Sequence, residues 1–359
     1  MYDEMITEAR RQVKICNACR YCEGYCSVFP EITSSRDFAA GDITHLANLC
    51  HNCRGCYYAC QYTEPHEFAI NLPKALAEVR QESWKEHAWP QGFAKAFDTS
   101  GVLIAGLAVF FATGLFWLMT AFDVGQGHGQ GFYTYLSHAM MVAIFAPAFV
   151  LPLAAMAYSL RSYWRATGGG VITSADILGA FASASHMKNL KGGHGEGCNF
   201  EDEDAFSHRR RIFHQFTMYG FLLCFASTSS GTILHYGFGL EAPYGPFSVP
   251  KLLGVPGGIL LSVGTVGLGY LKTKADPNLG APQAWGGEMA FLMLLFGVST
   301  SGLGLYWLGS TAFLSALLAL HLALVLVLFV VLPYSKMAHG FYRMAALIQD
   351  EVRRRHKQL

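Results

Sequence analysis

The sequence predicts a mainly α protein, a soluble cysteine-rich head followed by a bundle of six transmembrane helices. Three observations lead there. Charge is scarce, 14% of 359 residues, against roughly a quarter in an ordinary soluble domain. The charge is also uneven, with 22 of the 51 charged residues in the first 95 positions. Eight of the ten cysteines fall in that same stretch, between Cys16 and Cys60. The chain therefore divides into a head at 1–95, an apolar body at 96–335 and a basic tail at 336–359. A net charge of +1 gives no reason to expect nucleic acid as a partner.

The head opens with Met1-Tyr2-Asp3-Glu4, which is polar and acidic. It lacks the basic-then-apolar profile of a secretion signal. A reducing compartment is expected, a bacterial cytoplasm, where dense cysteines are metal ligands rather than disulfides.

Those cysteines form two runs of identical spacing. The first is Cys16-x2-Cys19-x2-Cys22-x3-Cys26, the second Cys50-x2-Cys53-x2-Cys56-x3-Cys60. Three close thiolates wrap one iron–sulfur cubane, and the fourth comes from elsewhere. In the bacterial two-cluster arrangement the fourth cysteine of each run serves the other cluster. The expected sets are Cys16, Cys19, Cys22 and Cys60 for one [4Fe–4S] cluster, and Cys50, Cys53, Cys56 and Cys26 for the second. This makes the head two-cluster ferredoxin-like. The proline that usually follows the fourth cysteine is absent, with Ser27 and Gln61 in its place. Zinc is the rival occupant, but zinc sites pair two close cysteines with a distant pair. Cys224 reads as packing, and Cys198 sits in a glycine-rich loop with no assigned role.

Beyond the head, apolar stretches recur. Gly101–Ala121 carries no charge over 21 residues, about 31 Å as a helix, enough to cross a hydrocarbon core. Further spans are expected at 136–160, 212–239, 252–271, 289–308 and 312–332. Gly254, Pro256, Gly257 and Gly258 weaken the fourth as a helix, although Gly254-x-x-x-Gly258 also suits close packing. Between the second and third spans, Ile177, Leu178, Phe181 and Met187 are expected on one face of an interfacial helix over 172–190. With six spans, both termini share a side. That side holds 25 of the 26 Lys and Arg residues, Lys251 being the exception. The positive-inside rule then places head and tail in the cytoplasm, in a multi-pass inner membrane protein. Arg209-Arg210-Arg211 and Arg353-Arg354-Arg355 are expected to meet anionic membrane lipid, or else an acidic partner or a haem propionate.

Four histidines lie in or at the ends of these spans: His138, His214, His235 and His321. Ionisable groups at that depth are costly and usually functional. Neutral imidazoles on facing helices hold b-type haem, which would make the body cytochrome b-like, with one or two haems. Topology pairs His138 with His235 near the outer surface and His214 with His321 on the inner side, with His208 and His339 as inner substitutes. Each could instead bond a carbonyl, relay protons or contact quinone. The head histidines His45, His51, His66 and His87 read as surface or packing residues. No flavin fingerprint is present. Gly264-x-x-Gly267-x-Gly269 has the wrong order and lies in an apolar span, and the glycine loop 125–131 has no flanking strand. Electrons are carried here without an evident site for two-electron chemistry on a metabolite.

This combination resembles the tricarballylate utilisation protein B family, the TcuB/CitB-type iron–sulfur cytochromes b. It is also similar to the C-terminal half of CobZ. The marks are both cysteine runs, Gly195-Glu196-Gly197-Cys198-Asn199 and Phe206-Ser207-His208-Arg209-Arg210-Arg211. Others are His214 with Phe216 and Tyr219-Gly220-Phe221, His235-Tyr236, His321, and Leu332-Pro333-Tyr334-Ser335-Lys336 with His339-Gly340. The resemblance implies a membrane electron-transfer protein that reoxidises the flavin of an FAD-dependent dehydrogenase of the tricarballylate type and delivers electrons to quinone. It carries the iron–sulfur ligands onto the eight cysteines and haem ligation onto the four histidines. Two rivals keep part of the layout: an anchor for another flavoprotein or a heterodisulfide-reductase-like complex, and a redox sensor whose clusters report rather than conduct.

Overall fold

The computed structural model describes residues 2–125, 131–193, 195–201, 204–309 and 311–358; most of the glycine loop 125–131 lies outside them. The head is built from α1 (Tyr2–Cys19), α2 (Val28–Thr33), α3 (Ala40–Leu49), α4 (Gly55–Tyr58) and α5 (Leu72–His87). The body follows as α6 (Gln91–Ala121), α7 (His138–Ala166), α8 (Ser174–Ser185), α9 (Arg209–Phe238), α10 (Val249–Lys274), α11 (Trp285–Leu308) and α12 (Leu314–Val330), and α13 (Ala338–Gln358) closes the chain. Among the described residues the only β pairing is a bridge between Cys198 and Ser207.

The head core forms where α1, α3 and α5 turn apolar faces inward. Val13, Ile32, Ile43, Leu49, Leu76 and Val79 are among its fully covered side chains. α5 starts on Asn71, whose side chain accepts from the Lys74 N–H, with Pro73 in its first turn. That is an N-cap with a proline where no N–H is needed.

Among the described residues, four helices are long and apolar enough to cross a membrane: α6, α7, α10 and α11 with the turn before it. Of the six expected spans, these four are both long and apolar enough. α9 has 30 residues, but Ser227-Thr228-Ser229-Ser230, Thr232 and its leading arginines dilute its apolar character. α12 is strongly apolar but has only 17 residues, about 25 Å against a core of about 30 Å. α6 breaks at Ser100 (φ −137°, ψ 32°), where the head linker ends and its expected span begins.

α10 is one continuous helix despite Pro256. Glycines on both helices let α9 and α10 come very close: a Cβ on Gly264 of α10 would lie 2.5 Å from the Thr217 nitrogen, and one on Gly220 of α9 2.4 Å from the Leu261 nitrogen. Gly254 faces Ser227 of α9, while Gly258 faces Leu303 of α11. The two glycines therefore serve two neighbours. α8 exposes Ile177, Leu178 and Phe181 as expected. Met187 departs from that face and is buried beside Cys53 and Cys198.

The tail docks on protein. Arg353 reaches Glu31 (2.8 Å) and Asp42 (3.1 Å) of the head. Arg355 reaches Asp176 of α8 (3.0 Å), Arg354 pairs with Asp350 (2.7 Å), and Lys357 holds Glu31 (2.6 Å). The expectation of a lipid-bound arginine triplet is corrected: local carboxylates neutralise it. Ala346 and Leu347 of α13 complete the head core.

Candidate functional site: a two-chamber cysteine centre

The first run starts in the last turn of α1, which ends at Cys19, and the second runs from the end of α3 through α4. The residue after the second cysteine is left-handed in both, Arg20 (φ 57°) and Arg54 (φ 69°), and Asn52 (φ 52°) joins them. Left-handed non-glycine residues cost energy and persist where a site demands the turn. Amide hydrogens point at sulfur, from Asn52 N–H to Cys50 Sγ and from Tyr62 N–H to Cys60 Sγ, both 3.4 Å.

The runs then cross. Cys16, Cys19, Cys22 and Cys60 line one cavity of about 780 Å³, counted to its open mouth. Cys26, Cys50, Cys53 and Cys56 line a second of about 410 Å³. Cys56, Phe29 and Leu72 line both, so the chambers share a wall. Among the described residues no three His, Cys, Asp or Glu side chains converge on one metal ion. The thiols instead ring spaces several atoms wide, the arrangement a multi-iron cluster needs. Burial, then the neighbouring thiols Cys60, Cys22 and Cys19, push Cys16 up to about 12. Burial and Cys198 push Cys53 to about 12. A metal that binds thiolates would relieve both costs by displacing the protons. The donor sets fit iron–sulfur clusters.

The second chamber is wrapped by residues from α5, the body and α13. Cys50 O accepts from Arg80 Nη1 and Arg343 Nη2, each at 2.9 Å. Asn52 O accepts from Arg210 Nη1 at 2.6 Å. Asn199 N–H donates to Cys53 O (3.0 Å) in the loop that carries buried Cys198. That loop needs Gly197: its φ is 110°, and a Cβ there would lie 2.2 Å from Ser207 O. Ser27, standing where proline is usual, hands its N–H and hydroxyl to Asn189 Oδ1.

The membrane histidines come together differently from expectation. His138 and His235 do meet, stacked with ring centres 4.0 Å apart at 28°, and His138 Nε2 lies 2.8 Å from the Tyr236 hydroxyl. Two imidazoles sharing one iron keep their centres roughly 6 Å apart, since each metal–nitrogen bond is about 2 Å. This pair, as placed, does not fit a haem iron. His214 neighbours His339, 5.8 Å away at 82°, and His339 Nδ1–H is fixed on Lys336 O. His321 bonds Ser301 Oγ at 2.9 Å. The structure sets His214 beside His339 rather than beside His321.

Comparison with known proteins agrees with this layout. Residues 9–87 match the model of the citrate utilization protein B Fer4-like domain, and residues 95–359 match that of citrate utilization protein B. The chain is 43% identical over 356 residues to citrate utilization protein B of Escherichia coli, covering 98% of this chain and 93% of the relative. The chain belongs to the citrate utilization protein B family. No solved structure matches it.

Family membership and the Fer4-like head point to iron–sulfur electron transfer. Several residues around this family's cysteine centre escaped sequence reasoning. Arg210 was visible only as part of a basic triplet. Arg80 and Arg343 carried no signal, because each is a lone arginine on a helix. Asn189 and the Cys198 loop lie more than 120 residues beyond Cys60, too far for any spacing rule.

Proposed function

We propose that this protein is a membrane electron carrier. It takes electrons from the reduced flavin of an FAD-dependent partner dehydrogenase of the tricarballylate type and passes them to membrane quinone. The observation that carries the reading is the crossing of the two cysteine runs into adjoining chambers that share Cys56. Two [4Fe–4S] clusters in those chambers would lie close enough for one-electron relay. Arg80, Arg210 and Arg343 supply positive charge beside the second chamber, which favours the reduced, more negative cluster. Haem b, as a further one-electron carrier, would be held by His214 and His339. α9 and α12 complete six crossings, the first by its length and the second by its hydrophobicity. The bias of Lys and Arg supports a head facing the cytoplasm.

The testing experiment is a reduced-minus-oxidised optical spectrum of the detergent-purified protein, with iron and acid-labile sulfide assayed together. About eight cluster irons per chain are expected, four per cubane, with sharp b-type bands. A protein with zinc and no sulfide overturns the reading.

A further inference from the structure

The two chambers differ in what surrounds them. Every residue that lines the first lies in the head, between Ile15 and Leu72. Its thiol Cys19 is exposed, and so are Tyr21 and Gln61, which share its wall. The second chamber has Asn189 of the body in its wall, and its four cysteines are half-buried. The first chamber is therefore the one that a soluble electron donor can approach.

Aromatic surface is open at the same place. Among the described residues up to His87, Tyr21 and Phe68 are the two exposed large hydrophobic side chains, at 69% and 37%. Tyr21 lines the first chamber, and the Phe68 ring packs 5.6 Å from that of Tyr62, which lines it too. His66 joins those rings, 5.0 Å from Tyr62 and 4.8 Å from Phe68. Arg11 Nη1 donates to Phe68 O at 3.0 Å, which holds this loop against α1. Large aromatic side chains that lose water on contact are the usual anchors of a protein interface. The charge around them has one sign. Arg11 and Lys14 of α1 are paired, with Glu8 and Asp37. The two segments that form the mouth, 18–24 and 59–69, carry Glu23, Glu64 and Glu67 against Arg20, all four exposed.

We propose that the mouth of the first chamber is the docking surface for the electron donor, a flavoprotein that presents Lys and Arg side chains around its flavin edge. The inference rests on the electron-carrier reading above. The partner covers Tyr21 and Phe68, while Glu23, Glu64 and Glu67 steer its approach and fix its orientation. A second copy of this chain would set one acidic rim against another, which like charges disfavour. Two electrons leave the reduced flavin one at a time through the first cluster, and its two protons go to water at the rim. The first electron moves on to the second cluster and the next remains on the first, so each cluster ends reduced by one electron.

The test uses a purified FAD-dependent tricarballylate dehydrogenase as the probe. Its binding to the full-length protein in detergent is measured by calorimetry with both partners oxidised. Tricarballylate is then added and reduction of the iron–sulfur absorbance is followed. Tyr21→Ala and Phe68→Ala should each raise the Kd on the order of tenfold or more. Glu64→Lys combined with Glu67→Lys should weaken binding as much, and should remove the loss of affinity that added salt causes in the parent protein. Reduction by dithionite, which needs no docking, should stay as in the parent protein throughout. Glu241→Lys, in the loop between α9 and α10, should bind as the parent does. If Phe68→Ala loses its first cluster, Tyr21→Ala carries the test, because the Tyr21 ring stands in solvent. If the parent protein is reduced while binding is absent, unmoved by salt or equal in the substituted proteins, the surface assignment is wrong. If the dehydrogenase does not reduce the parent protein at all, the electron-carrier reading fails first.

Discussion

Asn189 Oδ1 accepts two hydrogen bonds from Ser27, one from the backbone N–H at 3.2 Å and one from the hydroxyl at 2.8 Å. A proline after Cys26 would need neither. The serine in this chain exposes an N–H that must be satisfied in a buried place, and a residue 162 positions away does so. The link ties the second chamber to the loop before α9.

Asn189→Leu should therefore loosen that chamber while sparing the first. Two buried hydrogen bonds are lost, about 2 kcal/mol together. The expected result is faster loss of four of the eight irons under chelator, followed by absorbance. Uniform loss of all eight would mean that the contact does not act locally.

Crossed ligation makes paired predictions for the cysteines. Cys60→Ser should remove the same cluster as Cys16→Ser, although the two lie in different runs. Cys26→Ser should match Cys53→Ser. Electron paramagnetic resonance of the reduced proteins separates the two clusters. Cys60→Ser grouping with Cys53→Ser would return each cluster to a single run.

The histidine geometry divides the expected haem ligands. His214→Ala and His339→Ala should abolish the same b-type band. His138→Ala should keep it, because the ring of His138 is stacked on His235 with no room for iron between them. Loss of the band in His138→Ala, with retention in His339→Ala, would reverse the assignment.

The docking of α13 predicts a pH dependence. Burial raises the Glu31 carboxyl, but bonds from Lys357 and Arg353 outweigh it and hold the group below its ordinary 4.5. A depressed carboxylate contributes stability that is complete above its unfolded value and is lost as pH falls through the folded value. Denaturation midpoints should thus be flat from pH 7 to about 5 for this group and fall below about 4.5. Glu31→Gln should cost about 2 kcal/mol at pH 7 and converge with the parent protein in acid. Parallel curves at all pH values would remove Glu31 from the account.

What the sequence determined by itself is whatever depends on near neighbours. The cysteine spacing marked both loops, since three thiols two residues apart must turn around a common centre. The crossed sets were an expectation from the bacterial two-cluster pattern, and which cysteines line which chamber depends on the tertiary structure. Apolar length marked α6, α7, α10 and α11, as burial in lipid is set by composition over a helix-long window. Only the tertiary structure decided which distant groups meet. It put His339 rather than His321 beside His214, because depth along a helix does not specify which face points at which neighbour. It turned Arg353 and Arg210 from lipid toward Glu31 and Asn52, since a guanidinium takes the nearest buried acceptor. It also brought Tyr21 and Phe68 to the mouth of one chamber, because the loop after Cys60 folds back on α1, where Arg11 holds the Phe68 carbonyl.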